Sequence, residues 1–245
     1  MLVINLKPEV LFLFFNIPLT NTFLTTLLVD LLLVFVSISF YYYYTREVEA
    51  ESFFVKIIKV LVYELLKIID SVTRDRKLSK MVFGLIATLF IFIAVSNLLA
   101  LIPGFLGSFY ILTPDGKVPL LRSPNSDLTL TLSLAIISLL STQYFSLKIL
   151  GWNSYLKRFF NFSSLIKFIL GFFELISELI KLLSFSFRLF GNVFAGEVLL
   201  LVLGFLIPYF IPLPFMILEV FVGVIQAFIF SVLTLTFIKI ATLKV

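Results

Sequence analysis

"SLIKFILGFFELISELIKLLSFSFRLFGNVFAGEVLLLVLGFL", residues 164 to 206, is apolar along most of its length and contains no proline. Drawn as one helix it would extend about 64 Å at ~1.5 Å per residue, roughly twice the hydrocarbon thickness of a bilayer. Such a segment must break, protrude from the membrane or lie strongly tilted. A strand is not an option at that depth, because an isolated strand leaves its backbone polar groups unsatisfied in lipid.

The rest of the chain fits the same solvent. Of 245 residues, 61% are hydrophobic and 13% charged, too few polar groups to cover a water-soluble domain of this size. Apolar runs at 23–44, 78–102, 128–150 and 215–241 join the 164–206 segment as five membrane-embedded helices in a single membrane domain, 1–245. The first run ends in "YYYY", Tyr41 to Tyr44, followed by Thr45 and Arg46, as expected where rings meet headgroups. Asp30, about two turns inside that run, reads as an interfacial residue reaching water. Pro103 and Gly104 end the second run, and Pro114-Asp115-Gly116 has the chemistry of a tight turn. "LTLTLSLA" from Leu128 alternates like a strand, yet the run is long enough for a helix and the lipid rule overrides the local pattern. Pro208, Pro212 and Pro214 make a turn before the last run.

Residues 47–77 differ in kind. Phe53, Phe54, Ile57, Ile58, Leu61, Val62, Leu65, Leu66, Ile69 and Val72 recur at helical spacing, with Lys56, Lys59, Glu64, Lys67 and Asp70 on other faces. The pattern predicts an amphipathic helix on the membrane surface, or one that packs its stripe on a partner. The fold expected is therefore all-α: five spans and one surface helix, the last two spans long and tilted.

Composition removes several chemistries. With no cysteine there are no disulfides, thiolate metal sites or cysteine nucleophiles; with no histidine there is no Ser-His-Asp triad and no histidine-held metal or haem. Neither metal nor cofactor is expected, and proton handling falls to carboxylates, arginine, lysine, amides or water. The net charge of +5 reflects basic residues in connections and reports topology, so no nucleic-acid partner is expected. Arg46, Lys56, Lys59, Lys67, Arg74, Arg76, Lys77 and Lys80 lie between the first and second spans; Lys148, Lys157, Arg158 and Lys167 surround the connection after the third; Lys239 and Lys244 are near the end. The opposite side carries Lys7, Lys117 and Arg122. The positive-inside rule predicts the N-terminus outside and the C-terminus in the cytoplasm, or in the matrix or stroma if the membrane belongs to an organelle. The first fifteen residues lack a basic region and a clear cleavage site, so an uncleaved N-terminus is expected.

The long segment holds the polar residues that lipid should exclude. Successive steps from Glu174 to Glu178, Lys181, Arg188 and Asn192 are four, three, seven and four, which puts all five on one helical stripe. Glu197, nine beyond Arg188, points to the opposite face. Glu174, Glu178 and Lys181 read equally well as a self-neutralising cluster near the inner end. Arg188 does not: no carboxylate stands at i±3 or i±4. A mid-membrane arginine costs from about 3 to more than 10 kcal/mol, so its partner must lie on another helix, another subunit or in water. Gly191, Ala195 and Gly196 nearby let a helix approach closely. Glu219 and Gln226 share one face of the last run with Gly223 between them, and structural hydrogen bonding is the alternative to a wet polar file there.

"FRLFGNVFAGE" and "VIQAFIF", with "SNLLALIPG" at 96–104 and "SPNSDLTLTLSLA" at 123–135, resemble the signature of subunit a of the F-type rotary ATP synthase, in its bacterial form. The resemblance covers nearly the whole chain, including the order of spans and the surface helix. It implies a membrane-sector stator subunit with no nucleotide site of its own. Its last two helices lie against a rotating ring of small c-type subunits, and peripheral-stalk b-type subunits and the remainder of the synthase complete the assembly. Arg188 matches the arginine that faces the ring carboxylates between two offset aqueous half-channels. Asn192, Glu197, Glu219 and Gln226 match the outer half-channel, with Asn97 in "SNLLALIPG" added to the ion pathway; Glu174, Ser177 and Lys181 match positions near the inner one. The proton is the expected ion, with sodium the other possibility, decided mainly by the ring. The location implied is a bacterial inner membrane. One departure stands out: bacterial members often place a histidine seven before Gln226, whereas here both Glu197 and Glu219 are acidic. An ion-coupled secondary transporter also needs intramembrane charge, but no internal repeat is present and five crossings are few for that architecture. For an intramembrane hydrolase no histidine exists, and Asp30 and Asp127 form no aspartyl-protease pattern.

Overall fold

A computed structural model describes residues 8–14, 17–45, 53–102, 110–113, 116–159, 164–207 and 210–243. Within them lie α1 (Asn21–Thr45), α2 (Phe53–Thr73), α3 (Arg76–Ala100), α4 (Leu128–Leu150), α5 (Trp152–Phe159), α6 (Leu165–Leu206) and α7 (Pro212–Ala241). Five of these, α1, α3, α4, α6 and α7, are long and apolar enough to cross a membrane. The chain is an all-helical membrane protein.

Four spans build the core. Leu89 and Ile93 of α3, Leu134 and Ala135 of α4, Phe185 and Leu189 of α6, and Ala227 and Phe230 of α7 are buried together. Between apolar helices in lipid the hydrophobic effect offers little, so close packing and interhelical hydroxyls must supply the contact. Ser138 and Thr234 pair at 2.8 Å between α4 and α7, Thr131 and Ser186 at 3.1 Å between α4 and α6, and the Ser146 hydroxyl donates to the Ala241 carbonyl at 2.8 Å. Most large side chains of α1, and many of α6, remain exposed, the surface expected of helices that meet lipid or partners.

Caps explain where the helices start. The strand-like alternation at Leu128 is overridden because Asp127 sits at the N-cap of α4 and accepts from the Thr129 N–H at 2.8 Å. Pro212 and Pro214 fall in the first turn of α7, where a missing N–H costs nothing, so the last helix begins before residue 215. The long segment does not break: α6 is continuous over 42 residues.

The bounds and packing of the amphipathic helix need correction, and further elements add to the expected fold. The amphipathic helix does not reach residue 77. It ends at Thr73, Arg74 adopts φ +52°, and Asp75 caps α3 by accepting from the Lys77 N–H at 2.9 Å. Its stripe is divided: Ile69 is buried against Leu78, Val82, Ile86, Leu235 and Ile238, whereas Phe53, Ile57 and Val60 are exposed. Two short antiparallel hairpins also occur, β1 (Val10–Phe14) with β2 (Ile17–Thr20) and β3 (Tyr110–Thr113) with β4 (Gly116–Pro119). The polar stretch after α4 is helix α5, entered through Gly151 at φ +79°, a conformation that suits glycine. Lys7, Arg46, Pro103, Gly104, Pro114, Asp115, Pro208, Lys244 and the start of the amphipathic helix at 47–52 lie outside the described residues.

The left-handed turn at Arg74 carries a prediction. A β-branched residue fits this conformation worse than arginine does, so Arg74→Val is expected to destabilise the α2–α3 junction by about 1–2 kcal/mol, and Arg74→Gly to leave it unchanged or firmer. Thermal unfolding of the detergent-solubilised protein reads both.

Candidate functional site

The polar residues of α6 form two separate zones. In the outer one, α6 and α7 cross at Gly196, which lies directly against the Glu219 carboxylate, so that a Cβ there would collide with it. One turn further in, the Asn192 amide donates to Gln226 Oε1 at 2.9 Å. Between Glu219 and Gln226 on α7, the Asn97 amide donates to the Gly223 carbonyl at 3.0 Å, and an added Cβ at 223 would stand 3.0 Å from Asn97 Cβ. Glycine at 223 is what lets α3 come this close. Asn125, from the 3-10 turn Pro124–Ser126, donates to Asn97 Oδ1 at 2.7 Å. Asn97, Asn192, Glu197, Glu219 and Gln226 thus line one cavity of about 40 Å³, enough for roughly three waters. The Gln226 Nε2, Asn125 Oδ1 and Ser123 Oγ atoms are buried without a hydrogen-bond partner among the described residues. Buried polar atoms of this kind ordinarily bind water.

Glu197 lies on the far side of α6 from Arg188, yet it lines the same cavity as Asn192, beside Val193, Gly196 and Leu200 of its own helix, and residues 122 and 123 contact its carboxylate. Arg122 Nε lies 3.7 Å from its carboxylate, and the Ser123 N–H donates to it at 3.3 Å. The loop is itself anchored to α1: the Arg122 N–H donates to Thr25 Oγ1 at 3.2 Å, and the Thr22 hydroxyl donates to Asp127 at 2.9 Å. Asp127 is therefore a cap and an anchor. Asp30 is exposed on α1.

The inner zone is an open groove of about 350 Å³ between α6 and α7, lined by Ser177, Lys181, Ser184 and Arg188 facing Leu233 and Phe237. Arg188 is exposed, and its nearest polar partner is the Ser184 hydroxyl at 3.4 Å. Among the described residues it forms no ion pair. At the inner end Lys181 pairs with Glu178 at 3.0 Å and stands 4.8 Å from the centre of the Phe237 ring. Arg158 of α5 pairs with Glu174 and lies 3.6 Å from Glu178. The self-neutralising cluster is present, but its second cation comes from α5.

The small residues near Arg188 divide. Gly196 serves the close approach of α7, whereas Gly191 has open space where a Cβ would go, so none of the described helices packs on it. Arg122, Asn125 and Arg158 were not singled out from the sequence as site residues. Their roles depend on two connections folding back across α6, and neither fold-back leaves a periodic signal.

Asn97 offers a test of the outer packing. Asn97→Leu removes two buried hydrogen bonds and leaves the buried Asn125 amide without its acceptor, while the Gly223 carbonyl, inside α7, keeps its helical bond, a loss of about 1–3 kcal/mol. A lower unfolding temperature and weaker docking of the loop onto α3, seen as faster proteolysis near residue 122, are expected.

Five apolar spans with an unpaired arginine between two polar zones define a polytopic membrane protein with charge at membrane depth. The sequence model of the family described as ATP synthase A chain matches residues 23–239, and the chain belongs to that family. Among its relatives is the ATP synthase subunit a of Legionella pneumophila (strain Paris), 36% identical over 159 residues, 65% of this chain and 60% of that one. The subunit of the same name from Moorella thermoacetica is 37% identical over 154 residues, 63% of this chain and 62% of its own. That from Aliarcobacter butzleri is 35% identical over 166 residues, 68% and 66%. The matched stretch thus spans about three fifths of the first relatives' length.

Proposed function

We propose that this chain is the stator of an F-type ATP synthase membrane sector, and that it passes protons through two offset half-channels where α6 and α7 meet a ring of small subunits. The observation that carries the reading is Arg188: a cation about 36 Å along α6 from Ser164, exposed, and without a carboxylate of its own. Its counter-charge is a ring carboxylate. The outer half-channel is the cavity of Asn97, Asn192, Glu197, Glu219 and Gln226; the inner one is the groove of Ser177 and Lys181, with Glu174 at its mouth.

Electrostatics supplies the coupling. A unit charge moved across the membrane gains about 2.3 kcal/mol per 100 mV, provided no continuous proton wire dissipates it. Arginine does not deprotonate in proteins, so Arg188 attracts an ionised ring carboxylate and repels protons without relaying them. A protonated, neutral carboxylate can travel through lipid, and an ionised one is held beside the arginine. Rotation then follows ion flow. The excess of basic residues flanking α2 and α5 supports an orientation with the C-terminus and the inner groove on the cytoplasmic side of a bacterial membrane.

Purification of the tagged chain from its native membrane tests the assignment. A ring of small hairpin subunits and stalk subunits is expected to accompany it, with ATP-driven proton uptake in inverted vesicles. Recovery of the chain alone, carrying a transport activity of its own, favours the secondary transporter instead.

A further inference from the structure

We propose that Arg158 is a positioning residue that keeps the mouth of the inner groove electrically neutral, acting through Glu174 and Glu178. The inference rests on the reading of that groove as the inner ion pathway. Glu178 lies outside the residues the family signature assigns, yet it is nine-tenths buried at membrane depth, and Arg158 stands on a connection rather than a span.

The geometry shows how the two are brought together. Gly171 of α6 lies against the carbonyl of Phe159, the last residue of α5, and a Cβ at 171 would overlap it. Only glycine lets α5 end on α6 in this way. The residue just before, Arg158, then reaches the face of α6 three and seven residues further on, where Glu174 and Glu178 stand. Its side chain is 14% exposed and that of Glu178 is 10% exposed, so both charges are largely removed from water. Tyr155 on the same short helix donates to Gln143 Oε1 at 3.1 Å and ties α5 to α4 as well.

Charge balance gives the arrangement its meaning. Two carboxylates, Glu174 and Glu178, face two cations, Arg158 and Lys181, and the set sums to zero. Lys181 lines the groove beside Ser177 and Ser184. An uncompensated lysine there would repel a cation leaving the ring, and an uncompensated carboxylate would hold it. With Arg158 docked, the exit does neither.

The absence of cysteine makes the test direct. In the assembled complex, Ser177→Cys is labelled with a cationic and an anionic methanethiosulfonate of similar size, and the ratio of the two rates is read. Removing one charge several ångströms from the thiol shifts the rates oppositely, so Arg158→Gln is expected to raise the cationic-to-anionic ratio roughly five- to tenfold. Glu178→Gln is expected to lower it by a similar factor, the double variant to restore it, and Arg158→Lys to preserve it. Gly171→Val, which changes no charge but displaces α5, is expected to resemble Arg158→Gln. A change of shape alone would not reverse sign between the two single variants. Equal ratios in Arg158→Gln, Glu178→Gln and the parent overturn the proposal. Failure of either reagent to label the parent overturns it together with the reading of the groove. Ion flux that continues unimpeded after labelling, with the ratios shifting as expected, overturns only the assignment of the groove as the ion pathway.

Discussion

Arg188→Ala is expected to abolish ion-driven ATP synthesis while the complex still assembles. The guanidinium contributes little to the fold, since it is exposed and its one hydrogen bond is the 3.4 Å contact to Ser184. Leu189 next to it is fully buried in the core and is untouched by the change, so the helix keeps its place. What is lost is the fixed charge that, in the proposed mechanism, holds the ionised ring carboxylate and separates the two polar zones. Removing one partner of a buried ion pair leaves the other charge uncompensated at a cost of about 3–5 kcal/mol, which as a barrier corresponds to a loss of synthesis of a hundredfold or more. The measurement is ATP synthesis by reconstituted vesicles under an imposed proton gradient, with the amount of assembled complex determined in parallel. Synthesis at the wild-type rate would remove Arg188 from the mechanism.

Glu219→Leu is expected to slow proton translocation by roughly an order of magnitude without loss of assembly. The carboxylate lies against Gly196 and lines the outer cavity together with Glu197 and Gln226, so leucine of similar size fills its place but offers neither a proton site nor a hydrogen bond to water. Losing one such interaction in the path raises the barrier by about 1–2 kcal/mol, roughly tenfold. Glu197 does not substitute for it, because that carboxylate is held from the other side by Arg122 and the Ser123 N–H. ATP-driven acidification of inverted vesicles reads the effect, and unchanged pumping would show that the cavity is structural.

The division between what the sequence displays and what it hides follows from locality. The spans were legible because lipid imposes one strong rule, backbone satisfaction within each segment, and hydropathy reports it. The helical reading of "LTLTLSLA" succeeded on length although alternation argued against it; the cap at Asp127 supplies the local reason. Arg188 stood out because a charge without a neighbour at i±3 or i±4 is visible in one dimension. The cavity was only half visible. Glu219, Gly223 and Gln226 share a face at spacing seven, but Asn97, supplied by the resemblance alone, lies 126 residues before Gly223, and Asn125, 28 residues after Asn97, carries no signal of its own. Arg158 was read as topology, a basic residue in a connection, and its docking depends on Gly171, a glycine that no periodicity singled out. The end of α2 was misplaced by four residues because the basic run from Arg74 to Lys77 continues the polar face and masks the turn.

The central claim is that two aqueous paths reach Arg188 from opposite sides of the membrane and do not join. Single cysteines at Ser177 and at Asn192 in the assembled complex, labelled by a membrane-impermeant thiol reagent applied to one side at a time, test it most directly. Labelling of Ser177→Cys from the cytoplasmic side alone and of Asn192→Cys from the opposite side alone is the result predicted. Labelling of both positions from the same side would contradict it.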